Sequence, residues 1–127
     1  GMKNIVMRSS VLSMSNFSEA NIEEGDLSHS DAHGSVFIDT NLIDVQFIKS
    51  NLRQSNFMNA DLSNANFSSA DLSGTDFTGA KLINTNFFNA DLRYSNLRFA
   101  KILNINIDKA VLCKTKLPWG VRNDNCK

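Results

Sequence analysis

The sequence predicts an all-β solenoid, a coil whose sides are five residues long, and three observations carry that prediction. Every fifth residue from Leu12 to Leu117 is large and apolar: eleven Leu, seven Phe and three Ile, with Ala32 the exception among 22 positions. Two residues before each centre the side chain is Ala, Ser, Thr or Gly in 20 of the 22 cases, Val45 and Ile105 departing from the pattern. Two residues after each centre, Gly, Asn or Asp stands at ten positions. A period of five matches neither the 3.6 of an amphipathic helix nor the 2 of an alternating strand, but it suits short sides joined by corners.

Each position of the unit has a physical reason. The large centre fills the interior, and the small residue beside it leaves room. Gly34, Gly74, Gly79, Asn59, Asn64, Asn84, Asn89 and Asn104 tolerate the positive φ that a tight corner demands at its second central position. The clearest stretch reads Ala60-Asp61-Leu62-Ser63-Asn64, Ala65-Asn66-Phe67-Ser68-Ser69, Ala70-Asp71-Leu72-Ser73-Gly74.

These residues resemble the pentapeptide-repeat family, whose unit is a small residue, Asp or Asn, Leu or Phe, and two polar positions. The resemblance covers residues 10–119. It implies a right-handed quadrilateral parallel β-helix of about five and a half coils, four pentapeptides per coil, with the centre and the small residue inward. On that plan Phe17, Phe37, Phe57 and Phe77 share the second side, and Phe47, Phe67 and Phe87 the opposite, fourth side. Offset stacking along such columns contributes about 0.5–1.5 kcal/mol per pair beyond burial. The second coil is the expected weak point: Ala32 shortens a centre and Val45 enlarges a small site, so residues 31–48 are expected to repack.

A solenoid must also protect its ends. Residues 1–9 are expected to form an N-terminal cap, Asn4-Ile5-Val6-Met7 lying across the first coil, with Gly1 ahead of Met2 reading as the remnant of a cleaved tag. At the other end Leu117, Pro118 and Trp119 are expected to close the repeat or to contact a second copy, since Pro118 lacks a ladder donor. Residues 120–127 are expected to be an irregular tail. Cys113 and Cys126 leave two readings open, separate thiols or a disulfide pinning that tail.

Thirteen basic and thirteen acidic residues cancel, so no overall field favours nucleic acid or an anionic membrane. No run of about 18 apolar residues spans a bilayer, and the default expectation is a cytoplasmic protein. The charges are segregated: residues 1–80 hold ten acids against four bases, and residues 81–127 nine bases against three acids. No catalytic, cofactor-binding or metal-binding constellation stands out, since His29 and His33 flank a corner and suit exposed turn positions. Apolar residues just after the centres, Ile43, Ile83 and Leu103 on the third side and Ile48 and Phe88 on the fourth, form a candidate interaction surface. The sequence therefore points to a non-enzymatic protein-interaction or scaffolding module, its partner an unidentified protein or a second copy bound through the C-terminal coil. The alternative is an inhibitor of a type II topoisomerase that mimics DNA, as the quinolone-resistance members of the family do, since Asp31, Asn51, Asp71 and Asp91 fall on one side.

Overall fold

The interior of the chain is a stack of side chains ordered by the five-residue period. The computed structural model describes residues 2–126 and contains no helix among them. Parallel bridges join each residue before a centre to its counterpart twenty residues on, from Val6↔Asp26 and Val11↔Asp31 through to Asn96↔Lys116. Twenty residues are four units of five, so each coil of the right-handed β-helix has four sides. Within a side, the N–H of the centre and that of the corner residue donate to the next coil, as from Leu62 to Lys81 (2.9 Å) and from Asn64 to Ile83 (2.9 Å). The residue before the centre donates back to the previous coil, as Asp61 does to Thr40 (3.0 Å). The regular sides include the parallel pair β1 (Lys81–Ile83) and β2 (Lys101–Leu103).

Two ladders of phenylalanine fill opposite sides of the core. Rings one coil apart stack with centroids 4.9–5.3 Å apart and planes within 9° of parallel, from Phe17 to Phe77 and from Phe47 to Phe87. Across the core the ladders meet edge to face at 5.6–6.0 Å, so both favourable aromatic geometries operate at once. The small inward positions do more than give room. Hydroxyls of Ser35, Thr40, Ser50, Thr85 and Thr115 donate to carbonyls of the coil below at 2.7–2.9 Å, and among the described residues no buried side-chain polar atom lacks a partner. The Asp or Asn before each centre also has a local task. Its Oδ1 accepts the N–H two residues on, as at Asp61, Asn66, Asp71 and Asp76, an Asx turn that fixes the start of each corner.

Every corner from Asn4 to Lys114 adopts φ between 50° and 70°, whatever residue stands there. Glycine, asparagine and aspartate meet that demand cheaply; Met14, Lys49, Gln54, Tyr94 and Phe99 do so against the preference of a side chain with Cβ. Lys49 is exposed, so Lys49→Asn is expected to raise stability by about 0.5–1 kcal/mol, checked by the urea midpoint.

Three expectations change. The second coil is regular: Ala32, Phe37, Leu42 and Val45 are fully buried, and Ala32 N–H donates to Asn51 at 2.8 Å. The hydrogen bonds above and below hold the backbone of this coil in place without help from a large centre. Residues 2–9 do not lie across the end. They form two further sides, Met2 N–H donating to Asn21 and Met7 N–H to Asp26, both at 2.7 Å, because Met2 and Met7 continue the column of centres. The tail is ordered too. Strands β3 (Thr115–Leu117) and β4 (Gly120–Arg122) make an antiparallel hairpin turning at Pro118 and Trp119. Beyond it, the carbonyl of Asp124 accepts Leu112 N–H (3.1 Å) and Asn123 Oδ1 accepts Lys114 N–H (2.8 Å). The tail thus supplies acceptors that a further coil would have offered.

Candidate interaction surface

The outward residues are displayed on a rigid frame, so their register decides what they can do together. On the third side, Ile83 pairs with Leu103, whereas Ser63 stands between Ile43 and Ile83 in the stack. On the fourth, Ser68 likewise separates Ile48 from Phe88. Ile43, Ile48 and Ile83 are half-buried, Phe88 and Leu103 exposed. The sequence-predicted strip therefore divides, and its exposed part lies near the C-terminal end.

That end carries further apolar surface which the five-residue register does not single out: Phe99 is 81% exposed and Val121 54%. Leu117 belongs to the core, while Trp119, at the hairpin tip, is 68% exposed. Standing in the two-residue turn between Leu117 and Gly120, Trp119 is therefore largely open to solvent and not a buried lid over its own coil. Cys113 and Cys126 are joined by a disulfide, their Cα atoms 4.9 Å apart. It ties the tail to the first side.

The first side holds a groove of about 570 Å³ lined by Arg53, Gln54, Asp71, Ser73, Gly74, Asp91, Arg93, Tyr94 and Cys113. A filled core does not preclude such surface concavities. Gly74 makes room here, since a Cβ at its place would stand 3.3 Å from Gln54 Cγ. Asp31, Asn51, Asp71 and Asp91 do line up in successive coils, but nitrogen-bearing side chains interleave with them. Arg93 grips Asp91 with Nε (3.0 Å) and Nη2 (2.7 Å), Arg53 Nε lies 3.9 Å from Asp71, and His33 Nδ1 lies 2.8 Å from Asp31.

Burial works to raise the pKa of Asp91, but the Arg93 hydrogen bonds and charge outweigh it and hold the carboxyl below its ordinary range. A depressed folded pKa contributes stability that is present above the unfolded value, about 3.9, and is lost as pH falls through the folded one. The difference in urea midpoint between wild type and Asp91→Asn is therefore expected to be present at pH 7 and to close as the solution is acidified below about 4.

With this architecture in view, the relationship to known proteins is direct. The sequence matches the description "Pentapeptide repeats" in eight copies, over residues 15–54, 40–79, 55–93 and 70–106. The chain belongs to the pentapeptide-repeat family. Among solved structures it is similar to the pentapeptide repeat protein Rfr23 of the cyanobacterium Cyanothece, with 21% identity, a TM-score of 0.68 and coverage of 79% of this chain and 86% of that one. HetL of the cyanobacterium Nostoc, involved in heterocyst differentiation regulation, matches at 16% identity and a TM-score of 0.43, covering 94% and 92% of the two chains. The plasmid-mediated fluoroquinolone resistance protein QnrB1 matches at 16% and 0.41, covering 86% and 62%. The likeness to Rfr23, at 21% identity and a TM-score of 0.68, speaks for the fold alone. No curated protein sequence matches the chain.

Proposed function

We propose that this pentapeptide-repeat protein is a non-enzymatic protein-interaction module whose contact surface lies on its last coils. The observation that carries the reading is the exposure of Phe88, Phe99, Leu103 and Trp119 towards one end of the rod, where apolar side chains gain nothing from solvent and mark contact surfaces. A photo-crosslinking residue at Leu103 should capture a defined protein in cells, whereas the same residue at Glu19 should not; equal capture from both positions would remove the support.

Trp119 favours a second reading, a homodimer through the C-terminal hairpin. Light scattering would then give a dimer mass unchanged by salt, and Trp119→Ser would return the monomer. The topoisomerase-directed alternative has one observation in its favour, the aligned first-side acids, and the interleaved Arg53 and Arg93 weigh against it. The protein is expected to leave gyrase supercoiling unaffected; inhibition at stoichiometric amounts would reverse that order. The cytoplasmic reading predicts that Cys113 and Cys126 react with an alkylating agent during rapid cell lysis. Protection of both thiols would instead place the chain in an oxidising compartment, where such bridges persist.

A further inference from the structure

The C-terminal end of the rod is finished on only two of its four sides. On the first and second, the tail accepts the N–H groups of Leu112 and Lys114 and pairs with Thr115–Leu117. The core beneath is sealed: Leu112 is 3% exposed, Leu117 5% and Thr115 fully buried. On the third and fourth sides the corresponding donors are Ile102, Asn104, Ile107 and Lys109. One coil below, Asn84 in the third column and Phe87 and Asn89 in the fourth donate upward, and two coils below Leu62 and Asn64 do the same. The four donors of the last coil have no backbone acceptor among the described residues. Beneath them Ile102, Ile105 and Ile107 remain only partly covered. Half of the final coil thus presents both features that a strand edge uses to capture another chain: open hydrogen-bonding groups and uncovered apolar side chains.

Charge narrows the occupant. Lys101 stands directly over Lys81 in the β1–β2 pair. Lys81 has Asp61 in the coil below at 4.0 Å, whereas Lys101 has no ion-pair partner among the described residues. Like charges facing each other across a ladder are destabilising, and a carboxylate in the coil position above would answer Lys101 as Asp61 answers Lys81. Lys109 lies at the neighbouring corner, over the Phe88 ring at 5.8 Å. Asp108 is the one acid in this stretch.

We propose that the third and fourth sides of this end bind an extended acidic segment of a partner protein, which adds a strand along Lys101–Leu103, turns a corner over Asn104 and covers Ile105 and Ile107. The proposal deepens the interaction-module reading and rests on it. The residues that occupy these two sides two coils below supply a probe with the right backbone course: a synthetic decapeptide of the sequence of residues 60–69, acetylated and amidated, in which Asp61 would face Lys101. Added at millimolar concentration to the oxidised full chain, it is expected to slow amide exchange of Ile102, Asn104, Ile107 and Lys109 by roughly tenfold or more, with NMR shifts confined to residues 101–109. The same peptide with its Asp replaced by Lys, or the Lys101→Glu protein with the original peptide, is expected to lose most of that protection, while Lys101→Glu retains the wild-type melting transition.

Unchanged exchange at the four amides overturns the proposal, as does equal protection by the Lys-containing peptide. Protection already present without peptide also overturns it, whether independent of protein concentration, which assigns the edge to this chain's own residues, or rising with concentration, which assigns it to a second copy. Peptide shifts centred on Phe88 and Trp119 would sink this edge assignment and leave the broader interaction surface standing.

Discussion

Phe67→Ala is expected to cost about 3–5 kcal/mol, the range for truncating a fully buried aromatic residue. Phe67, like Phe57, contacts four other rings. It stacks on Phe47 at 5.2 Å and Phe87 at 5.3 Å and meets Phe57 and Phe77 edge to face. The inter-coil hydrogen bonds on both sides of it, Phe47 to Asn66 (2.8 Å) and Phe67 to Asn86 (2.7 Å), keep the coil from collapsing into the space, so the cavity persists and the upper part of the range applies. Phe17→Ala should cost distinctly less, because Phe17 is only partly buried and stacks on one side alone. Urea denaturation of the two variants under one set of conditions checks the order. Equal losses would mean that neither the stacking contacts nor the depth of burial sets the cost of removing a ring.

The same frame explains which features were legible in the sequence. The columns were readable because each centre has one neighbour above and one below, fixed by the period, so the side on which Phe47, Phe67 and Phe87 meet follows from counting. The weakness assigned to Ala32 did not materialise because side-chain volume is not what holds that coil. Leu12 N–H reaches Asp31 at 2.6 Å and Ala32 N–H reaches Asn51 at 2.8 Å, and these bonds belong to the backbone. Corner preferences misled in a similar way: Gly and Asn mark corners, but Tyr94 and Phe99 take the same φ near 60° because the coil imposes it.

The surface was less legible than the core. Residues after the centres fall at the margin of the side, and whether an Ile there is half-covered, as Ile43 is, or exposed, as Leu103 is, depends on its neighbours in the adjacent coils. The period does not encode those neighbours' conformations. The C-terminal cap lay beyond the repeat altogether. Its signal was the Asn123-Asp124-Asn125 run, a set of short acceptors and donors, but nothing in the period indicates that the chain turns back at Pro118 and Trp119 to bring them over Leu112 and Lys114.

Cys126→Ser should show how much that cap contributes. The bridge closes a loop with a sequence separation of 13, and a loop of that size is worth about 3 kcal/mol in the chain-entropy account. A repeat array distributes such a loss unevenly, because each coil contacts only its neighbours. The coils around Phe57 and Phe67 are expected to keep their exchange protection, while Leu112 and Lys114, whose acceptors Asp124 and Asn123 lie in the tail, should exchange much faster. Leu117, held in place by the hairpin turn as well as by its column, should lose less. A uniform drop in protection from Phe37 to Leu112 would instead mean that the rod unfolds as one cooperative unit, and that the tail stabilises every coil and not only the end it covers.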